Sequence, residues 1–395
     1  MSSIRSGGLK GCAPAVLQVL PNLEPGGSAR SAIDIARAVA EAGAVSLVAS
    51  AGGPLARDLL RGGAKLIELP LASRNPFLLR RAARRLARVI RAEGVQVVHA
   101  RGPGASWSAR RAAGQGGAHF LTTFETVYDR SGALQRRYTA AMAKADRVIA
   151  VSQFLADHVR ETYPVEAGRI RLIRRGIDLS YFDPDQIRPE RMVQLARRWN
   201  LPDGVPVLMT AGRRGWSSNG TLLEALARVK EQPFRCLLVG ADEDLASRRE
   251  LERSIRELGL AERVQLTGDC ADMPAAYMLA DVVVSASSEP EAFLHVITEA
   301  HAMGRPVVTT NHGGVEEQVV RGRTAWVTPP GEPDALAVAI AEALALTPEQ
   351  RFALGQIAKS HARESFGKER MCAQTLGVYQ ELLRADAYAL GPQAA

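Results

Sequence analysis

Glu291 and Glu299 are the residues of this chain best placed, by type and spacing, to do chemistry. They lie eight positions apart in the stretch DVVVSASSEPEAFLHVITEAHAMGRPVVTTNHGGVEE, residues 281–317. On a helix, Val296, Ala300 and Met303 form one apolar stripe, and Glu299 falls inside it, where a purely structural helix would carry Leu or Ala. A carboxylate on that side needs hydrogen-bond donors to stay charged. Glu291 sits in the loop that opens the helix, close to the positive end of its dipole. For either residue alone, a helix-start acid or a flank glutamate tied to an arginine would leave the same trace. Together with the glycine pair Gly313 and Gly314, the combination is more specific.

The elements that must position these side chains can be read outward from them. The β-branched run 282–284 is short enough for a buried strand, and Ser285, Ser287, Ser288 and Pro290 end it. A helix is predicted from about residue 294 until Gly304 and Pro306 stop it, and a second buried strand over 307–310. Such a unit puts its loop at the carboxyl end of a parallel strand, facing a helix N-terminus, where open α/β sheets bind ligands. Glu24-Pro25-Gly26-Gly27-Ser28 repeats the theme: adjacent glycines at a strand-to-helix turn let backbone N–H groups approach an anion, although a tight turn alone also accounts for them. Asp-x-Asp patterns at 183–185 and 242–244 imitate a metal site, but the first is linker and the second an ordinary loop after a strand. The seven histidines show no ligand spacing, so no metal is expected.

The stretch 281–317 resembles the signature of glycosyltransferase family 4, retaining enzymes of the two-domain GT-B fold. The likeness extends to VVHARGPGASWSA (97–109), DRVIAVSQFLADHV (146–159), RIRLIRRGIDLSYFDPD (169–185), DMPAAYMLADVVVSAS (272–287) and the tail ending in Tyr379. These stretches are similar to a bacterial branch acting on lipid-linked or lipopolysaccharide-type acceptors. The resemblance implies an α/β protein of two Rossmann-like, doubly wound domains facing across a cleft. It implies transfer of a sugar from a UDP- or GDP-sugar to an envelope glycolipid or polysaccharide acceptor, with neither metal nor cofactor.

By the same resemblance, Gly26, Gly27, Arg213, Asn219, Glu291, Phe293, Leu294, His295 and Glu299 are expected to bind the donor. Glu299 would accept hydrogen bonds from the nucleotide ribose, Glu291 would address the sugar or its phosphate, and the fork of Arg213 would grip the diphosphate. Three positions depart from the family pattern. Asn219 stands where a lysine is usual, with Arg214 as a substitute charge. Leu294 stands where glycine is usual, and its side chain excludes close backbone approach. Glu125 stands at the histidine of Phe-His-Gly, where a carboxylate could serve as acceptor base; with Glu291 and Arg213 it completes the expected catalytic set. These departures motivate an alternative, a catalytically impaired protein of the same fold that binds a glycan or scaffolds envelope assembly. A sugar-nucleotide epimerase is a third reading, against which the paired glutamates argue.

Alternating α and β segments run through the whole chain. Strands are predicted at 16–20, 46–49, 65–69, 95–99, 120–123 and 147–151, then at 207–210, 236–239, 264–267, 282–285, 307–310 and 325–327, with a helix over about 29–42 after the first. That alternation demands parallel, doubly wound sheets. RGIDLSYFDPDQIRPE is rich in turn residues, so an N-terminal acceptor domain over 1–184 and a C-terminal donor domain over 185–367 are expected, the resemblance adding a final helix near 368–384 that packs back on the first. Every apolar run ends before the ~18 residues of a transmembrane span. Gln18 and Pro21 make the first apolar run a strand rather than a signal peptide. Cys12, Cys236, Cys270 and Cys372 are scattered, which suggests a reducing compartment.

The net charge of +8 calls for an acidic partner, and much of it is local. Within 77–94, Arg80, Arg81, Arg84, Arg85, Arg88 and Arg91 cover one helical face opposite Leu79, Ala82, Ala83, Leu86, Val89 and Ile90. A solvated outer helix and a seat on an anionic membrane surface both fit this pattern. Nucleic acid is excluded as the partner, because no stacking aromatics interleave the arginines. The expected location is cytoplasmic, peripheral on the inner membrane.

Overall fold

The computed structural model describes residues 13–73, 75–128, 132–212, 216–240 and 245–389. It divides into two compact units, one built from the chain up to Gly176 with the segment from Lys368 onward, the other from Ile177–Gly367.

In unit 1, seven parallel strands follow the order β3-β2-β1-β4-β5-β6-β7. They are β1 (Ala15–Val19), β2 (Val45–Ser50), β3 (Lys65–Glu68), β4 (Val95–Arg101), β5 (His119–Phe124), β6 (Arg147–Ala150) and β7 (Ile170–Leu172). The central strands are buried along nearly their whole length, as expected of a parallel sheet covered on both faces. The strand β7 has no counterpart among the predicted ones. It is a half-buried edge strand of three residues with Arg171 at its centre, so no continuous apolar run announces it. The helix Lys368–Ala389 belongs here: Met371, Cys372, Val378, Tyr379 and Leu382 share a core with Val16, Ile35, Val39 and Val97. Glu381 fastens it by pairing with Arg147 and Arg171.

Unit 2 carries six parallel strands in the order β10-β9-β8-β11-β12-β13. They are β8 (Val207–Ala211), β9 (Arg235–Val239), β10 (Val264–Gly268), β11 (Val282–Ser285), β12 (Val307–Thr310) and β13 (Ala325–Thr328). The turn-rich segment around Pro184, expected to separate the domains, lies inside this unit. Ile177 bridges to Gly367, and Phe182 and Ile187 pack on the core that contains Tyr277. Turn composition marked an irregular path there, but three apolar anchors tie that path to unit 2. Both sheets are doubly wound, and in each the strand order reverses once, at β1/β4 and at β8/β11.

Candidate functional site

The reversal point of unit 2 holds a small cavity of about 50 Å³. Thr210, Gly212, Asn219, Ser285, Ser287 and Val296 are among its lining residues. Val296, expected in the core stripe, packs half-buried against the core that holds Ala300 and Met303 and also lines this space; the fully buried residues of the helix His295–Ala302 are Ile297, Thr298, Ala300, His301 and Ala302. The half-buried Glu299, three residues beyond Val296, accepts a hydrogen bond of 2.8 Å from the Tyr277 hydroxyl. Burial, and then the Glu299 charge, hold that hydroxyl's pKa well above the ordinary tyrosine value, so it remains a donor. Tyr277 thereby supplies the partner that a carboxylate on this side of the helix requires.

The loop carrying Glu291 is fixed by the glycine pair. Gly313 has φ +57°, and a Cβ there would stand 2.2 Å from the Glu291 carbonyl oxygen. The Gly314 N–H donates to that same oxygen at 2.7 Å. Only glycine allows the two backbones to meet so closely, which is the physical link between the two halves of the motif. Leu294 is clasped by a buried amide: its N–H donates to Gln318 Oε1, and Gln318 Nε2 donates to its carbonyl, both at 2.8 Å. The Leu294 amide, expected to hold the donor, is therefore engaged within the protein. Phe293 is buried edge-on against His295 and Phe366, with ring centroids at 5.2 and 5.8 Å. Arg213 and Arg214, and the Asp-x-Asp at 242–244, lie outside the described residues. Among the described residues no cluster of His, Cys, Asp and Glu could hold a metal ion.

The reversal point of unit 1 is charged instead. The glycine turn follows β1, Arg101 ends β4, Glu125 follows β5 and Arg175 follows β7. Arg101 Nη1 and Arg175 Nη2 approach the same oxygen, Glu125 Oε1, at 2.9 and 3.1 Å. The three side chains are 3%, 11% and 7% exposed, in the order Arg101, Arg175, Glu125. Burial raises the Glu125 carboxyl pKa, but the charges of Arg175 and Arg101, with hydrogen bonds from Ser28 and Arg101, outweigh it and leave the pKa below the ordinary value. A carboxylate so held is a weak base. The acceptor-base role expected of Glu125 conflicts with this setting, because taking a proton would neutralise the carboxylate that two buried guanidinium groups share.

Behind it, His99 lies 2.7 Å from the Tyr379 hydroxyl through Nδ1 and 2.7 Å from Thr123 Oγ1 through Nε2. Burial, and then Arg101, push its pKa well below 6.5, so the ring is neutral. Gly26 caps the helix Gly27–Glu41 from extended backbone and Ser28 reaches Glu125, which joins the glycine turn to the charged cluster.

Arg101, Arg175, Tyr277 and Gln318 were not among the residues singled out in the sequence. A strand-ending arginine after Val97-Val98-His99-Ala100 was the one available signal, since a charge closing a buried apolar run needs a partner.

The helix Pro76–Glu93 is capped by the Asn75 side chain and ended by Gly94 in the left-handed conformation. It buries Leu79, Ala82, Ala83, Leu86, Ala87 and Ile90, and exposes Arg80, Arg81, Arg84, Arg85 and Arg88. Phe77 and Leu78, at its first turn, are also exposed. No helix among the described residues is long and apolar enough to cross a membrane.

The family profile "Glycosyltransferase Family 4" matches residues 25–181, and "Glycosyl transferases group 1" matches 205–345. A glycosyltransferase of Rickettsia africae is similar in structure, with TM-score 0.87 and 30% identity over 94% of this chain and 99% of that one. Anabaena HepE, solved with UDP-glucose, shares the fold at TM-score 0.79 and 23% identity, covering 93% of this chain and 99% of that one. Among characterised relatives, a D-inositol 3-phosphate glycosyltransferase of Corynebacterium urealyticum is 29% identical over 60% of this chain and 57% of its own length. The alpha-D-kanosaminyltransferase of Streptomyces kanamyceticus is 28% identical over 67% of each. The chain thus spans little more than half of the first of these relatives.

Proposed function

From its membership of glycosyltransferase family 4, to which the chain belongs, we propose that it moves a sugar from a UDP- or GDP-sugar to an envelope glycolipid or polysaccharide acceptor, retaining the configuration of the anomeric carbon. Unit 2 takes the donor. The observation that carries this reading is the cavity at β8/β11, lined in part by Thr210, Asn219, Ser285 and Ser287, with Glu299 on the helix that also brings Val296 to the cavity and the Glu291 loop pinned by Gly313 and Gly314. At about 50 Å³ the cavity admits one polar group of the donor rather than a whole nucleotide. Glu299 accepts hydrogen bonds from the nucleotide ribose and Glu291 addresses the sugar. As the diphosphate leaves, its charge is met by Arg213, by the Asn219 amide and by the N-terminus of the helix His295–Ala302.

The acceptor class is supported by the helix Pro76–Glu93. Among the described residues, none of its five exposed arginines from Arg80 to Arg88 pairs with a carboxylate, and exposed Phe77 adds an apolar tip. Basic side chains beside an exposed aromatic suit the face of an anionic bilayer. A catalytically impaired, glycan-binding protein is the second reading, favoured by the neutral Asn219 and by the internal engagement of the Leu294 amide.

Titration of UDP- and GDP-sugars against thermal stability, followed by assay of donor hydrolysis, tests the first reading. A rise in Tm that Glu299→Ala abolishes, with slow sugar release, is expected. Indifference to every nucleotide sugar would sink it, and binding without turnover with any acceptor would favour the second. For the bilayer, sedimentation with anionic vesicles should depend on Arg84 and Arg85; equal sedimentation of their glutamine variants would remove the membrane role.

A further inference from the structure

We propose that the concave space between the helix Pro103–Gly116 and the turn from the helix Gly132–Ala143 into β6 binds a phosphorylated sugar or polyol. Arg110, Arg111 and Lys144 take the phosphate, Trp107 lies against the ring that carries it, and Asp146 accepts a hydroxyl. The inference goes beyond the glycosyltransferase reading and does not depend on it. A cavity of about 400 Å³ opens at this place, within the roughly 300–1,000 Å³ of small-molecule sites. Phe120 and Asp146 set it at the amino ends of β5 and β6, whereas Glu125 follows the carboxyl end of β5. The site is therefore separate from the crevice of unit 1.

Three observations carry the inference. First, Trp107, Arg110, Arg111 and Gly114 stand at i, i+3, i+4 and i+7 of one helix, so they form a single stripe along the cavity. Gly114 keeps the end of that stripe open, since a Cβ there would meet nothing within 4 Å. Second, the cations outnumber their counter-charges. The helix holds no acidic residue, Lys144 adds a third positive charge from the next element, and among the described residues none of the three pairs with a carboxylate. Asp146 is the one carboxylate of the lining, which leaves two positive charges against the charge of about −1.5 to −2 on a phosphomonoester at pH 7. Third, Asp146 is fixed at the sheet edge: its Oδ2 accepts the Phe120 N–H at 2.8 Å and lies 3.6 Å from His119 Nδ1. Its side chain is half-exposed, so the other oxygen is open to a hydroxyl of the ligand.

Solvation accounts for a lone arginine on an outer helix. It does not account for three like charges brought to one concavity, where the walls focus their field and an anion offsets their repulsion. The two forks suit phosphate oxygens, and the half-buried indole of Trp107 offers an apolar face to the ring.

The test is calorimetric titration of the full chain with glucose 6-phosphate and with inorganic phosphate. Wild type should take up one glucose 6-phosphate and bind inorganic phosphate more weakly. The double variant Arg110→Gln, Arg111→Gln alters two exposed side chains and should bind either probe at least tenfold more weakly. Trp107→Ala should weaken glucose 6-phosphate at least fivefold while leaving inorganic phosphate within twofold. No uptake of either probe by wild type, or uptake that the double variant leaves within twofold, would overturn the proposal. Sedimentation with phosphatidic acid vesicles, against phosphatidylglycerol vesicles of matched surface charge, separates the two sources of such a phosphate. A loss by the double variant confined to phosphatidic acid assigns the site to a lipid headgroup, and equal sedimentation, with soluble binding lost, assigns it to a free phosphorylated sugar.

Discussion

The two units place their crevices by one rule and fill them with opposite chemistry. Each sheet reverses its strand order once, and in each the polar residues gather at the carboxyl ends of the strands beside that reversal. At β8/β11 the crevice is hollow, and hydroxyl and amide groups of Thr210, Asn219, Ser285 and Ser287 share its lining with apolar side chains such as Leu238 and Val239. At β1/β4 it is filled by two arginines and a glutamate. Topology decides where a ligand can sit; the side chains at the strand ends decide which one.

The contrast can be broken first at Glu125. Glu125→Ala removes the carboxylate that two buried guanidinium groups share and should cost about 3–5 kcal/mol of stability, read by denaturant unfolding. A loss below about 1 kcal/mol would mean that the cluster is well solvated and the two crevices are alike. Glu299→Ala, by contrast, should act on binding: losing a charged hydrogen-bond acceptor costs about 1.5–3 kcal/mol, or roughly ten- to a hundredfold in UDP affinity. Unchanged UDP affinity would remove the ribose role.

Gly313→Ala sharpens the picture of the hollow site. Its Cβ would meet the Glu291 carbonyl at a positive φ, and the strain should cost roughly 1–3 kcal/mol while moving the Glu291 loop, so Tm and UDP affinity should fall together.

The smallest effect is that of pH. His99 in unit 1 is held well below 6.5, and His301 in unit 2 is pushed down to about 3 by burial and then by His361. Both are neutral when folded, whereas the unfolded chain takes up protons as pH falls below about 6.5. Their stabilisation is thus complete above that pH and is lost below it, at up to roughly 1.4 kcal/mol per pH unit for each histidine. Hydrogen exchange at pH 7.5 and 5.5 should show faster opening in both units at the lower pH, and His301→Gln should flatten the dependence in unit 2 alone.

Local pattern determined most of the fold. Short β-branched runs bounded by serine, glycine and proline marked twelve strands within a residue or two, because a strand buried on both faces must be apolar throughout. β7 escaped, since a half-buried edge strand of three residues can carry an arginine, here paired with Glu381, and needs no such run. Glu291, Glu299 and the glycine pair could be found as neighbours in sequence, and the apolar stripe was legible around them. Which part of that stripe meets the cavity was not: Val296 packs half-buried on the core that holds Ala300 and Met303 and at the same time lines the cavity, a double role that only the docking of the helix on the sheet assigns. Arg101, Glu125 and Arg175 come from three different strand ends, so no window of sequence contains them together. Their cluster exists only once the parallel sheet has set the carboxyl ends of β4, β5 and β7 along one edge.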